Sequence, residues 1–253
     1  MIRSQIGTTT GSGWLKSQHI LAVINDIALL FPVFLIIFTW RGFIQAFIAR
    51  TMGDRTAQQN GFLSLNPLAH IDLSGMLIVM GVFFFLGGFF YDVIPRAILL
   101  ILLIVLGVRW TIPVPIDDTQ FTRYRLGGII TSLSGPLSNF LLAFIATGLL
   151  RLSLWEGFPH YIVVTLFEIL RTVIDVALFF FVLDMIPLPP FDGGRMLRYL
   201  LPQSAQHIVH WLEEYAFFIF LILFFAPGIS DIFCGSLISI SVVIKRLMFM
   251  IFF

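Results

Sequence analysis

Long apolar runs alternate with short polar islands along the chain. From His19 to Trp40 the residues are almost all apolar, and the pattern continues to Arg50. About 20 apolar residues suffice for a helix to cross a bilayer, so this stretch predicts a first span that continues as one helix to Arg50. A second apolar region, Gly75 to Val108, is interrupted at YDVIPR and predicts one span plus a tilted or re-entrant piece. Gly128 to Leu150 and Tyr161 to Leu183 predict two more spans. Between them and the C-terminal end, LLPQSAQHIVHWLEE reads as a short amphipathic helix at the membrane interface. Tyr215–Pro227 and Ile232–Phe253, broken by APGISD, complete the pattern. No run alternates every second residue as barrel strands do. The expectation is an all-α polytopic membrane protein with five to six transmembrane helices and some re-entrant or loop elements. It forms one domain over residues 19–253, preceded by a polar segment, 1–18, read as retained rather than cleaved.

Composition sharpens this. The chain is 58% hydrophobic and 11% charged, whereas soluble domains carry about 25% charged residues, so the lipid bilayer is its first partner. A net charge of +1 gives no reason to expect nucleic acid. Cys234 is the only cysteine, which excludes an internal disulfide and a cysteine metal cluster. The 15 Lys and Arg are spread over almost every loop, so the positive-inside rule does not set an orientation. Nothing in the pattern sets an oligomeric state.

Three polar islands carry the candidate chemistry: LSLNPLAHIDLSG (63–75), SGPLSN (134–139) and DMIPLPPFDGGR (184–195). Asn139 inside a span needs a protein partner, because lipid offers none. Asp192, beside a glycine pair at a span's end, is costly unless a cation or metal neutralises it. Pro187, Pro189 and Pro190 break the helix and free carbonyls that need protein or water.

Together with GDRTA (53–57) and PVPI (113–116), these islands resemble the site-2 protease family of intramembrane zinc metalloproteases, in particular its compact bacterial and archaeal group. The family pattern runs HExxHAxxA, GDxTA, LNPLxHIDPxG, PVPV, AGPxxN and FNLLPIPPLDGxR. Five of these segments match here in order and at similar spacing, over roughly residue 26 to the end. The resemblance implies a cytoplasmic membrane of a bacterium or archaeon. It also implies a groove for a transmembrane segment, with Asn139, Pro113, Pro115, Pro187 and Pro189 beside it.

The catalytic motif departs from the family. Counting back from Gly53–Asp54 places HExxH on residues 41–45, which read RGFIQ. Family chemistry uses two histidines one turn apart, a glutamate general base and the aspartate of the LDG loop. Here Arg41 and Gln45 stand for the histidines and Gly42 for the glutamate, while Asp192 remains. Arginine is always protonated and does not ligate, and glycine moves no proton. Asp184 replaces an Asn of the family pattern and Leu73 a Pro. The expectation is therefore a pseudoprotease: not an enzyme, no catalytic residue, no bound cofactor although active relatives use zinc, and a role in binding or regulating a transmembrane client or an active protease. In this reading Arg41 pairs with Asp192 or Asp184 in place of a metal, or else snorkels to the interface.

Other residues are weighed beside these. His70 is read as a structural hydrogen-bonding residue. PVPI reads as an exposed strand-like edge, which the resemblance implies can receive an extended peptide by strand addition, or as a rigid re-entrant loop. Asp26, Glu168, Arg171 and Asp175 lie in or near apolar runs, with Arg171 able to pair with Asp175 or Glu168 on its own helix. His207, His210 and Glu214 share a helix face and are not expected to bind metal. Two further functions stay open. One is an active metalloendopeptidase with an altered site built from Asp192, Asp184 and an outside ligand. The other is a transport protein using the charges of the 161–184 span.

Overall fold

The computed structural model describes residues 10–70, 72, 112–153 and 160–253. The expected spans of Gly75–Val108 lie outside them. Among the described residues the chain is helical, with no strand, in agreement with the all-α expectation.

Helix α1, Thr10–Thr51, has 42 residues, about 63 Å at 1.5 Å per residue. It begins inside the polar N-terminal segment, and its apolar part, Leu29–Thr51, is long enough to cross a membrane. One short turn of helix, α2, Thr56–Gln59, follows. A 3₁₀ turn at Pro67–Ala69 is capped by Asn66, whose side chain accepts from the Leu68 N–H, and Pro67 donates nothing that would be left unpaired there. Residues 112–117 are neither helix nor strand, and Asp117, extended in its backbone angles, caps the turn Asp118–Gln120. The rest is α3, Tyr124–Ser153; α4, His160–Asp184; α5, Asp192–Leu200; α6, Gln206–Phe225; and α7, Ile229–Phe252.

Among the described residues, four helices are long and apolar enough to cross a membrane: the second part of α1, α3, α6 with the turn before it, and α7. Helix α4 is as long, but carries Glu168, Arg171, Asp175 and Asp184. It packs against α1, α3 and α7. Small Ala143 and Ala146 of α3 let it approach Leu170, Val173, Ile174 and Ala177 of α4, and Val33 and Ile37 of α1 close that core. A second apolar cluster joins Val182, Leu188 and Phe191 to Phe220 and Phe224 of α6. Most outward residues of α7 are apolar, with Met250 78% and Ile251 69% exposed, as a lipid-facing surface requires; Ser236, Ser239 and Arg246 are exposed among them.

The separate interfacial helix expected at 201–214 is corrected: Gln206 begins the same helix that continues to Phe225. No glycine or proline stands between those positions, so nothing stops the helix, and Glu213 on its polar part is held by Arg198 of α5. Pro187, Pro189 and Pro190 break the helix as expected: residues 185–191 are turns and bends, and a new helix opens at Asp192.

Candidate functional site

One face of α1 presents Arg41 and Gln45, a turn apart, with Ala46 and Ala49 fully buried beside them. They face the polar face of α3, where Thr131, Ser134, Gly135, Ser138 and Asn139 recur at helical spacing and are all buried. The two helices are tied by Trp40 Nε1 donating to the Ser138 carbonyl at 2.9 Å. Gln45 Nε2 donates to the Thr131 carbonyl at a long 3.5 Å.

Asp184 ends α4 and Asp192 opens α5, so the intervening loop returns both carboxylates to one place. Arg41 lies between them. Its Nη2 donates to Asp192 Oδ2 at 2.7 Å and stands 3.3 Å from Asp184 Oδ2. Asn139 Nδ2 approaches the same Asp184 oxygen at 3.5 Å. Arg195, one turn after Asp192, stands 3.6 Å from its other oxygen. Two guanidiniums thus face two carboxylates, and the cluster carries no net charge. This matters because the aspartate side chains are only 8% and 4% exposed, and an uncompensated charge at that burial is very costly. Gly135 makes the geometry possible: a Cβ there would collide with Asp192 Oδ2.

His70 is 1% exposed. Its Nε2 lies 2.7 Å from the Ser64 carbonyl; a carbonyl only accepts, so Nε2 carries the proton and donates. The structural bond expected of His70 is therefore present. Its Nδ1 has no partner, and the ring rests on Gly42, where any Cβ would overlap the imidazole. The missing side chain of Gly42 is thus the space that His70 fills.

The 112–117 segment is pinned at its two ends. Ile112 donates to the His70 carbonyl at 2.9 Å, and Asp117 donates to Asp54 Oδ2 at 2.9 Å. Asp54 is fully buried and also caps α2 through the Thr56 N–H at 2.8 Å. Between the pins, Pro113 and Pro115 have no N–H to give, and the Val114 backbone has no hydrogen-bond partner among the described residues. Beyond the segment, Tyr199 of α5 is buried, and that burial, then its hydrogen bond with Asp118, holds its hydroxyl pKa well above the ordinary tyrosine value.

These elements enclose a chamber of about 150 Å³. Arg41, Gly42 and Gln45 form one wall, His70 and residues 112–114 a second, and Pro190, Asp192 and Arg195 a third. Of the expected groove residues, Pro113 lines it, while Asn139, Pro115, Pro187 and Pro189 do not; Pro190 does. Asn139 instead stands behind Asp184. Arg195 was missed as a site residue, although it closes the DGGR segment. His207 and His210 are used locally, by the Ser204 carbonyl and by Glu213. Asp26 is not among the residues whose side chains are described.

A zinc ion does not fit this donor set. Three protein ligands are needed, and no three His, Cys, Asp or Glu side chains converge among the described residues. Arg41 is a fixed cation where the first histidine would stand, and it already occupies Asp192. No hydrolytic step through zinc is derived from these residues.

A charge-compensated polar chamber sunk among membrane-crossing helices defines an all-α, multi-pass membrane protein. Comparison with known proteins gives its family. The chain is 31% identical over 192 residues to the "Putative zinc metalloprotease YwhC" of Bacillus subtilis, covering 75% of this chain and 77% of that protein. It is 25% identical over 236 residues to the "Putative zinc metalloprotease Rip2" of Mycolicibacterium smegmatis, covering 89% and 79%. The chain belongs to this site-2-protease-like family. No family model and no solved structure matches it. The expectation that the chain is not an enzyme is corrected by these relatives: both are named as metalloproteases, which points to a protease rather than a non-enzyme.

Proposed function

We propose that the chamber receives an extended, unwound stretch of a client's transmembrane segment, lying along residues 112–117. The observation that carries this reading is the Val114 backbone, unpartnered between two pinned ends and bordering the chamber. An extended peptide adds to such an edge through main-chain hydrogen bonds. Gln45 and Arg195 offer donors to its carbonyls. The names of both relatives, as metalloproteases, support a polypeptide occupant. A transmembrane segment unwinds at the cost of its helical hydrogen bonds, which favours clients with a helix-breaking residue at mid-span. Arg41 supplies the positive charge that lets Asp184 and Asp192 stay buried beside that client, in the role a metal ion has where histidines stand at positions 41 and 45.

The test places a photo-reactive residue at Val114 of the full chain in phospholipid vesicles. Two synthetic single-span peptides are offered, one with a central Asn-Pro and one uninterrupted. Labelling of the interrupted peptide alone is expected, and the mass of the adduct reports whether the bound peptide is whole or cut. Equal labelling of both peptides, or equal labelling from lipid-facing Ile238, sinks the reading. Arg41's role has its own test. The triple substitution Arg41→His, Gly42→Glu, Gln45→His rebuilds the family motif and is expected to raise zinc content to one ion per chain over the unaltered protein measured beside it. Equal zinc in the two proteins contradicts it.

A further inference from the structure

Helix α4 carries an anomaly that the chamber does not use. Glu168, Arg171 and Asp175 follow one another at three- and four-residue steps on one face, and all three are exposed. The opposite face, with Leu170, Val173, Ile174 and Ala177, is buried in the core. The helix has 25 residues, about 37 Å. Glu168 lies eight residues from its start and Asp175 nine from its end. These charges therefore stand near the middle of the helix, and an ionisable side chain that faces lipid is costly.

Among the described residues, only part of the stripe is neutralised. Lys245 of α7 pairs with Asp175 Oδ1. Arg171 reaches Asp175 only at 4.0 Å, with its side chain 64% exposed. Glu168 has no ion-pair partner among the described residues, not even Arg171 one turn away. One acidic and one basic side chain, three residues apart, are thus left without a close partner on one exposed face.

We infer that this face of α4 is an interface with a second copy of the chain, in which Glu168 of each copy pairs with Arg171 of the other. Two copies inserted in the same orientation are related by a two-fold axis along the membrane normal, and their α4 helices run parallel. Such an interface is self-complementary: when residue i meets residue j, residue j meets residue i. The three-residue offset is about 4.5 Å along the axis, within reach of a glutamate and an arginine. A face bearing a single sign would repel its own copy. This one carries both signs in the order that a two-fold pair needs. Exposed Val164 and Phe167 flank the charges and give the contact an apolar rim. The inference is independent of what the chamber binds.

The experiment uses the full chain in phosphatidylcholine–phosphatidylglycerol vesicles, with Cys234→Ser and a reporter Thr172→Cys next to Arg171 and one turn after Glu168. Oxidation is expected to give a cross-linked dimer. Glu168→Arg alone and Arg171→Glu alone each create like-charge encounters across the axis, and each should lower the cross-linked fraction by about tenfold or more. Glu168→Arg with Arg171→Glu restores the reciprocal pairs and should restore the dimer. Thermal unfolding of the same variants separates loss of contact from loss of fold, and Glu168→Gln serves as a milder variant. An unaltered cross-linked fraction in the single reversals overturns the inference. So do failure of the folded double reversal to regain the dimer, and a Thr172→Cys reporter that joins another protein in place of its own copy.

Discussion

At the scale of single residues, the centre of the molecule is governed by charge compensation. Arg41 bridges two carboxylates that are nearly out of water. Arg41→Ala leaves them facing one another with Arg195 as the nearby cation, and truncating one partner of a buried pair costs about 3–5 kcal/mol. A thermal melt in detergent should show a loss of that order, with partial recovery in Arg41→Lys, which keeps the charge but reaches only one carboxylate well. Gly42 poses a steric counterpart. Gly42→Ala puts a methyl into the His70 ring, and overpacking of this kind costs about 1–3 kcal/mol. The same substitution in a His70→Ala background should cost far less. The difference between the two melts measures the contact, and equal costs would show that His70 does not fill that space.

At the scale of elements, the 112–117 segment depends on one buried carboxylate. Asp54 holds Asp117 on one side and caps α2 on the other. Asp54→Ala should leave α1 intact, but raise amide exchange across 114–120 by about tenfold or more, as an opened hydrogen bond to a charged group worth about 1.5–3 kcal/mol implies. Asp117 adds a pH dependence. Hydrogen bonds from the Thr119 side chain, Gln120 and the Thr119 N–H hold its carboxyl below the usual carboxylate range. A folded pKa below the unfolded one contributes stability that is present above the ordinary value of about 3.9 and is lost as pH falls through the depressed value. Proteolytic nicking of the 117–123 turn should therefore be constant from pH 7 to pH 5 and rise only in stronger acid. Asp117→Asn should remove that step.

At the scale of the whole molecule, the site is held where two apolar clusters meet around α4, and small residues set how closely the helices approach. Ala146→Leu, buried at 3% exposure, should push α3 from α4 and cost about 1–3 kcal/mol. Because Asp184 rides on the end of α4, it should also weaken Val114 cross-linking. An unchanged cross-link with a lowered melting temperature would show that the chamber is independent of this packing. The expected spans and the observed helices agree closely along α1, α3, α4 and α7. They part at 201–214, where charge and apolarity share one unbroken helix. Composition averaged over a window reports a boundary there, whereas the backbone stops only where a residue stops it.

Hydrophobic periodicity and motif order, both local properties, determined by themselves the all-α membrane class, most of the helices, the family resemblance and the segment RGFIQ at 41–45. They left Arg41 with two fates, a buried ion pair or a snorkelled charge at the interface. Tertiary structure decided for the pair, because the loop from Asp184 to Asp192 returns both carboxylates to the face of α1 that Gly135 leaves open. It also decided that Pro190 and Arg195, rather than Pro187 and Pro189, border the chamber, and that Glu168 faces outward without a partner among the described residues. Residue type sets what a side chain is able to do. Which groups it meets depends on contacts between positions up to 151 apart in the chain, and no short-range pattern encodes that separation.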